Sequence, residues 1–145
     1  TIDSVGTSSW TDSSVKTGKT YYYKIKTVVK TQNGEQTSGF SNVKSAKAVP
    51  AKTTLKAKAS DAKNVKLTWS KVKGASGYEI YRSNSKDGKY SKVRTISKGS
   101  TTSYKNGKLK KSTTYYYKIR AYRKVNGKKV YGSYSSVVSV KTKAK

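Results

Sequence analysis

The chain has 145 residues, a formal net charge of +27 from 33 Lys and Arg against six Asp and Glu, and no Cys or His. This length suits one domain or slightly more, enough for a β-sandwich core but not for a catalytic domain with large insertions. Without Cys or His, an ordinary catalytic triad, a Cys/His zinc site and disulfide bonds are all excluded. The charge favours anionic partners such as wall polymers, nucleic acid, sulfated glycans or lipid head groups.

One segment occurs twice, 94 positions apart. Residues 20–26 read TYYYKIK and residues 114–120 read TYYYKIR. Both are rich in aromatic and β-branched residues, which predicts a core strand in each copy. At this offset residues 1–48 correspond only to residues 95–142, so the first copy lacks the strands that precede its counterpart.

The only proline, Pro50, lies between the two copies and marks a boundary, because proline cannot donate to a strand ladder. We therefore predict four regions, in chain order: the C-terminal half of a domain (1–48), a short linker (49–50), a complete domain (51–142) and a tail (143–145).

The complete copy is predicted to be all-β, and no segment has a convincing helical period. Asp87-Gly88 and Asn126-Gly127 are typical of tight hairpin turns. The last strand has no clean apolar face, which indicates a bulge or an edge position. The seven predicted strands are 53–60, 65–70, 78–82, 90–96, 101–104, 114–124 and 129–142.

Alternation along these strands predicts which side chains are buried. We expect one core cluster formed by Trp69, Tyr78, Ile80, Tyr115, Tyr117 and Ile119. The opposite face of the repeated strand carries cationic and aromatic side chains, and Glu79 is expected on an exposed strand face. With its neighbours this surface forms a candidate ligand face of Tyr81, Tyr116, Lys118, Arg120 and Tyr122, with Tyr131 as a further candidate.

Several motifs resemble those of the fibronectin type III domain. They are Trp69, the segment GYEIYR at 77–82, Leu109 followed by Thr113 and Tyr115, and the late Ser135 and Thr142. The resemblance implies an immunoglobulin-like β-sandwich with a tyrosine corner, in which the Tyr hydroxyl bonds to nearby backbone, at Tyr115 and at Tyr21 of the first copy. The Lys-rich pattern is similar to repeats of secreted or wall-associated Gram-positive, Clostridia-like bacterial proteins, where such modules accompany a catalytic or adhesive domain.

The resemblance implies a non-catalytic tandem module of a larger exported protein, extracellular or attached to the cell wall. It would act as a spacer or as a surface-attachment module, with upstream parts of the same parent protein as partners and with no cofactor or metal. The alternative is a binding module that recognises anionic wall polymer or host glycan through the candidate ligand face. That face is also consistent with a solvated sheet surface made of good β-formers.

Nucleic-acid binding is a third, more distant hypothesis, because only four of the cations are Arg. No apolar run is long enough to span a bilayer. In the first copy Tyr21, Tyr23 and Ile25 face a core whose covering strands are missing. We expect a cleaved or unobserved segment of the same parent protein to cover them, and a swapped second copy is the alternative.

Overall fold

The computed structural model describes residues 9–145, so the first eight residues of the predicted half-domain lie outside the described part. The chain divides into two compact units, Thr1–Ala48 and Val49–Lys145. The described part of the first unit has four strands, with β1 paired antiparallel to β4 and β2 to β3. Their bounds are Thr20–Tyr23 (β1), Val28–Thr31 (β2), Gly34–Thr37 (β3) and Lys44–Lys47 (β4).

The second unit, which is described throughout, is a β-sandwich. One sheet has the order β5-β6-β9, and the other has the order β11-β10-β7-β8 with β12 also paired to β10. The expectation of an all-β fold is confirmed, since the described residues 9–145 contain strands and no helix. The bounds are Leu55–Ala59 (β5), Val65–Trp69 (β6), Gly77–Ser83 (β7), Ser91–Ile96 (β8), Ser103–Asn106 (β9), Thr114–Val125 (β10), Lys128–Tyr131 (β11) and Val138–Lys141 (β12).

The predicted last strand, 129–142, is in fact two strands, so residues 49–145 form eight strands rather than seven. β11 and β12 both pair with β10, and residues 132–137 between them leave the regular ladder. Ser135 keeps this segment hydrogen-bonded to β10. Its backbone N donates to Ile119 O at 2.7 Å, and its hydroxyl oxygen accepts from Ile119 N at 3.1 Å. Because a serine side chain replaces a ladder bond here, the segment is not a regular strand, and its side chains do not alternate between a polar and an apolar face.

The core lies between the two sheets. Tyr117 is fully buried, its hydroxyl donates to Asn106 Oδ1 at 2.9 Å, and burial raises its pKa to about 12. The rings of Trp69 and Tyr78 lie 5.4 Å apart. The buried cluster contains all six residues expected in it: Trp69, Tyr78, Ile80, Tyr115, Tyr117 and Ile119.

Both copies have the hydrogen bond of a tyrosine corner. Lys110 N donates to the hydroxyl of Tyr115 at 3.0 Å. Ninety-four positions earlier, Lys16 N donates to the hydroxyl of Tyr21 at 2.8 Å. Each bond ties the loop before the repeated strand to that strand, because the partners are five residues apart. The two loops therefore enter their strands in the same way.

The described part of the first unit leaves apolar side chains exposed. Ile25 is 74% exposed and Phe40 is 58% exposed, whereas Tyr21 and Tyr23 are half-buried. A cleft of about 520 Å³ lies along this face, with Trp10 among its lining residues. The face that the sequence assigned to a core is thus a groove in this unit.

Candidate binding face

The outer face of the five-stranded sheet carries the candidate ligand residues, and Glu79 lies at its centre. Sequence alternation placed Glu79 on an exposed strand face, and this was wrong, because its side chain is 1% exposed. Arg120 lies opposite it in the β7–β10 register. Long side chains from the neighbouring strands close over the carboxylate, which alternation along a single strand does not reveal.

The Glu79 carboxylate is held by five donors. Its contacts are Arg120 Nη2 at 2.9 Å, Tyr81 OH at 2.9 Å, Lys129 Nζ at 3.0 Å, Tyr131 OH at 3.2 Å and Lys92 Nζ at 3.5 Å. Burial raises the pKa of this carboxyl. Hydrogen bonds from Arg120, Lys129 and Tyr81 lower the pKa by more than burial raises it, so that its value is about 2. Glu79 is therefore ionised at neutral pH and compensates the cations around it.

The cationic side chains of the same face also contact aromatic rings. The ammonium of Lys118 lies between the rings of Tyr90 and Tyr134, at 4.3 and 4.5 Å from their centroids. The Arg120 guanidinium lies 3.7 Å from the Tyr131 ring centroid. Cation–π contacts of this kind attract the cation to the ring face. The cations and rings that a ligand would use are thus already in contact with one another.

Tyr122 departs from the expected exposed position, because it is only 1% exposed. The hairpin brings Tyr131 of β11 opposite it, and the Lys129 ammonium lies 4.5 Å from its ring. On the other side, β7 places Gly77 opposite, where a Cβ atom would fall 2.6 Å from the Tyr122 hydroxyl. A neighbouring hairpin and a glycine therefore turn this predicted ligand residue into a packed one.

The structure brings Tyr81, Lys118 and Arg120 into one network with Glu79 and its neighbours. Tyr116 lies on the same face of β10, half-buried and opposite Ser83. The sequence analysis missed Tyr90, Lys92, Lys129 and Tyr134 as members of this face. Of these, Lys129 could have been found by pairing residues outward from the Asn126-Gly127 turn, which places it opposite Lys124.

The described residues offer no group of three or more side chains suited to hold a metal ion. Nor do they include a helix long and apolar enough to cross a membrane.

No model of a known protein family matches the chain, and comparison with curated proteins found no match. Solved structures do match. An Fn3-like protein from Clostridium thermocellum is 29% identical, with a TM-score of 0.52, over 66% of this chain and 92% of the other. A human fibronectin type III domain is 26% identical, with a TM-score of 0.50, over 66% of this chain and 72% of the other. The fold is that of a fibronectin type III domain.

The FN1–FN3 domains of chicken CNTN1 match over 91% of this chain, with 22% identity and a TM-score of 0.57. The chain covers 46% of that structure, so it spans less than half of the three-domain fragment. At this identity the match supports the fold alone. The expected fibronectin type III sandwich is confirmed, and no ligand for the outer face follows from these matches.

Proposed function

We propose that the chain is a non-catalytic module of a larger exported bacterial protein and acts as a spacer or surface-attachment unit. Fibronectin type III domains are generally non-catalytic and are typically found in extracellular or surface proteins. The similarity to the Fn3-like protein from Clostridium thermocellum supports the bacterial assignment. The finer parts of the proposal, export and attachment, rest on the Lys-rich repeat pattern and the fold.

The Glu79 network is the observation that carries this proposal. The outer face of the larger sheet has a buried carboxylate whose partners are its own cations and tyrosines. Such a face is electrostatically complete without a ligand, because buried polar groups are stable when they are fully hydrogen-bonded. A surface with this organisation serves a structural module better than a receptor.

The same geometry argues against acid–base catalysis at Glu79. A general acid needs a pKa near the working pH, whereas hydrogen bonds hold the pKa of this carboxyl at about 2. A pair of catalytic carboxylates needs a second acid close by. All four side chains that donate to Glu79 within 3.2 Å are Arg, Lys or Tyr. Glu79 is thus a structural anchor.

The alternative, recognition of a polymer or glycan through the Lys/Tyr face, is less well supported by the geometry. Lys118 and Arg120 already contact rings, and Arg120 also binds Glu79. A ligand would have to displace these contacts. Tyr116, which has no such role in the network, is the residue of that face best placed for a ligand.

Single-molecule pulling on the full chain tests the spacer role. Stretching unit Val49–Lys145 should give one cooperative unfolding event with a contour gain of roughly 300 Å, from its length and the span of an extended residue. We expect the unit to refold on relaxation and to repeat the event. Gradual extension without a distinct unfolding force would overturn the proposal, because a module that yields under load cannot serve as a spacer.

A further inference from the structure

The outer face of the other sheet, β5-β6-β9, is built differently. Lys58 lies directly opposite Lys66, and Lys66 lies directly opposite Lys105, so three lysines form a row across all three strands. Lys56 begins the next row, and Thr68 lies opposite it. Leu55, Val65, Leu67 and Trp69 alternate to the opposite side and enter the core.

We call Lys56, Lys58, Lys66 and Lys105 the lysine row face. All four are exposed, and among the residues that the structure describes none of them forms an ion pair or a ring contact. Like charges directly opposite one another destabilise a sheet. This surface therefore keeps a repulsion that the Glu79 face has neutralised.

The nearest acid does little to relieve this repulsion. Asp61 lies in the turn after β5. The hydrogen bond from Lys63 N and the one from the Asn64 side chain lower the pKa of its carboxyl, and the Lys105 charge contributes less. Its carboxylate accepts from Lys63 N at 2.8 Å and from Asn64 Nδ2 at 2.9 Å. Asp61 thus serves its own turn. The whole unit is strongly cationic, since residues 49–145 contain 26 Lys and Arg against three acids.

The spacing of the lysine row face suits a polymer with regularly repeated charges. Adjacent strands lie about 5 Å apart, and alternate residues along a strand lie about 7 Å apart. A depression of about 300 Å³ lies beside the row, lined by Ser60, Lys66, Ser103, Tyr104 and Lys105. It offers ammonium and hydroxyl donors at one place, and lysine is a common point-charge ligand for phosphate.

The side chains of the lysine row face are not suited to bases or bilayers. Its outward positions are Lys, Ser and Thr, while the nearest ring, Tyr104, packs against the core cluster. Binding of single-stranded nucleic acid relies on stacking platforms, and interfacial membrane binding relies on apolar or aromatic side chains that insert. A thin, hydrophilic polyanion needs neither.

We propose that the lysine row face binds a linear phosphodiester polymer that carries no aromatic bases, such as a polyol phosphate chain. Successive phosphates would lie over Lys58, Lys66 and Lys105, with Lys56 beside them. This site lies on the sheet opposite the Lys/Tyr face that the sequence analysis singled out. It does not depend on the spacer role, which the pulling experiment tests without any ligand.

Binding of the full chain to immobilised poly(glycerol phosphate), measured over a range of salt concentrations, tests this inference. The variant K58Q/K66Q/K105Q removes the row. The matched control K86Q/K89Q/K98Q removes the same charge from exposed positions elsewhere in the unit. We expect the row variant to lose at least about tenfold in affinity and roughly two units of slope in log K against log salt, since each released counterion contributes about 0.7 to 0.9. The control should lose less than about threefold, as a distant charge change does.

The row variant should also melt at the same or a higher temperature, because it relieves a repulsion, and this shows that lost binding is not lost folding. Equal losses in the two triple variants would overturn the proposal, since the attraction would then be diffuse. Tighter binding to an oligo(dT) strand, to heparin or to phosphatidylglycerol vesicles would overturn the assignment to a base-free phosphodiester polymer.

Discussion

The two copies of the repeat have the same local geometry. In the first, Ile25 N donates to Ser41 Oγ at 3.1 Å, and in the second, Ile119 N donates to Ser135 Oγ at 3.1 Å. In both, the serine backbone N donates to the isoleucine oxygen at 2.7 Å. These irregular connections recur at the same offset, so the local sequence is sufficient to specify them.

The two copies differ in burial. Ile119 is fully buried, whereas its counterpart Ile25 is 74% exposed. Tyr117 is likewise fully buried, whereas Tyr23 is half-buried. The strands around the second copy come from the first half of its own domain, because β7 pairs with β10 and β6 of the other sheet contributes Leu67 and Trp69 to the shared core. The same strand sequence is therefore a core strand in one unit and one wall of a groove in the other, and matched substitutions measure the difference.

The largest expected difference is at the buried tyrosine. Tyr117→Ala removes a fully buried ring and should lower the free energy of unfolding of the second unit by about 3 to 5 kcal/mol. Tyr23→Ala should cost less than about 1 kcal/mol, because its ring remains partly in water. Urea unfolding in a Trp10→Phe background, where Trp69 is the sole tryptophan reporter, measures the first value.

Backbone amide exchange of residues in β1 and β4 measures the cost of Tyr23→Ala. Tyr116→Ala is the control, because Tyr116 lies next to Tyr117 in β10 but on the outer face, and it should cost about 0.5 kcal/mol or less. Equal losses at Tyr117 and Tyr23 would show that both rings are equally covered in solution.

The second contrast is acid sensitivity, which should be greater in the second unit, although hydrogen bonds from Ser14 and Tyr23 also lower the pKa of the Asp12 carboxyl in the first unit. The pKa of Glu79 in the folded unit is about 2, below its ordinary value of 4.5. A depressed carboxyl pKa stabilises the folded state above pH 4.5, and this stabilisation is lost as pH falls from about 4.5 to about 2. The loss should be on the order of 3 kcal/mol, as one pKa unit corresponds to about 1.4 kcal/mol.

Glu79→Gln tests this assignment by removing the titrating group. In the variant the free energy of unfolding, followed by Trp69 fluorescence, should be lower at pH 7 and should fall less between pH 4.5 and 2, where the Asp61 carboxyl, whose pKa is also lowered, still titrates. A variant that kept the wild-type pH profile would place the acid sensitivity at another carboxyl.

The third contrast is the tyrosine corner. Tyr115→Phe leaves the Lys110 N–H without its partner in a partly buried loop and should cost about 1 to 2 kcal/mol. Tyr21→Phe should cost less, because Lys16 N lies in an exposed loop where water replaces the lost hydroxyl. Chemical denaturation of the Tyr115 variant and amide exchange at Lys16 in the Tyr21 variant provide the two measurements. A greater cost at Tyr21 than at Tyr115 would contradict this ranking.

The sequence predicted the strands and the core well, because both depend on alternation within single strands. It could not predict the burial of Glu79, since that depends on side chains from β8, β10 and β11. The lysine row was invisible for a similar reason. Lys58, Lys66 and Lys105 are adjacent only after two non-local strand pairings have fixed the register.

Tyr122 shows a second limit of alternation within one strand, which predicts the face of a side chain but not its burial. Alternation correctly placed it on the outer face of β10, but β11 pairs with that end of the strand and its Lys129 side chain lies over the Tyr122 ring. The candidate ligand face was therefore predicted as a set of residues on one face, whereas its electrostatic state was not. Which cations are paired and which are free is decided between strands, not along them.

The smallest contrast is the turn before the repeated strand. The first copy has Gly18 at φ 91°, and the second has Ser112 at φ 51°, both in the left-handed region. A side chain at this φ costs roughly 1 kcal/mol, and part of this cost offsets the larger unfolded-state entropy of glycine. Ser112→Gly should therefore stabilise the second unit by about 0.5 kcal/mol and raise its melting temperature by about 2 to 4 °C.

Ser112→Ala is the control, because it removes the hydroxyl but keeps the Cβ atom. A gain with glycine but not with alanine would assign the difference to backbone strain, whereas an equal gain with both would assign it to the hydroxyl. Gly18→Ser should have the opposite sign, seen as faster amide exchange at Lys19, because it introduces into the first copy the strain that the second one already carries.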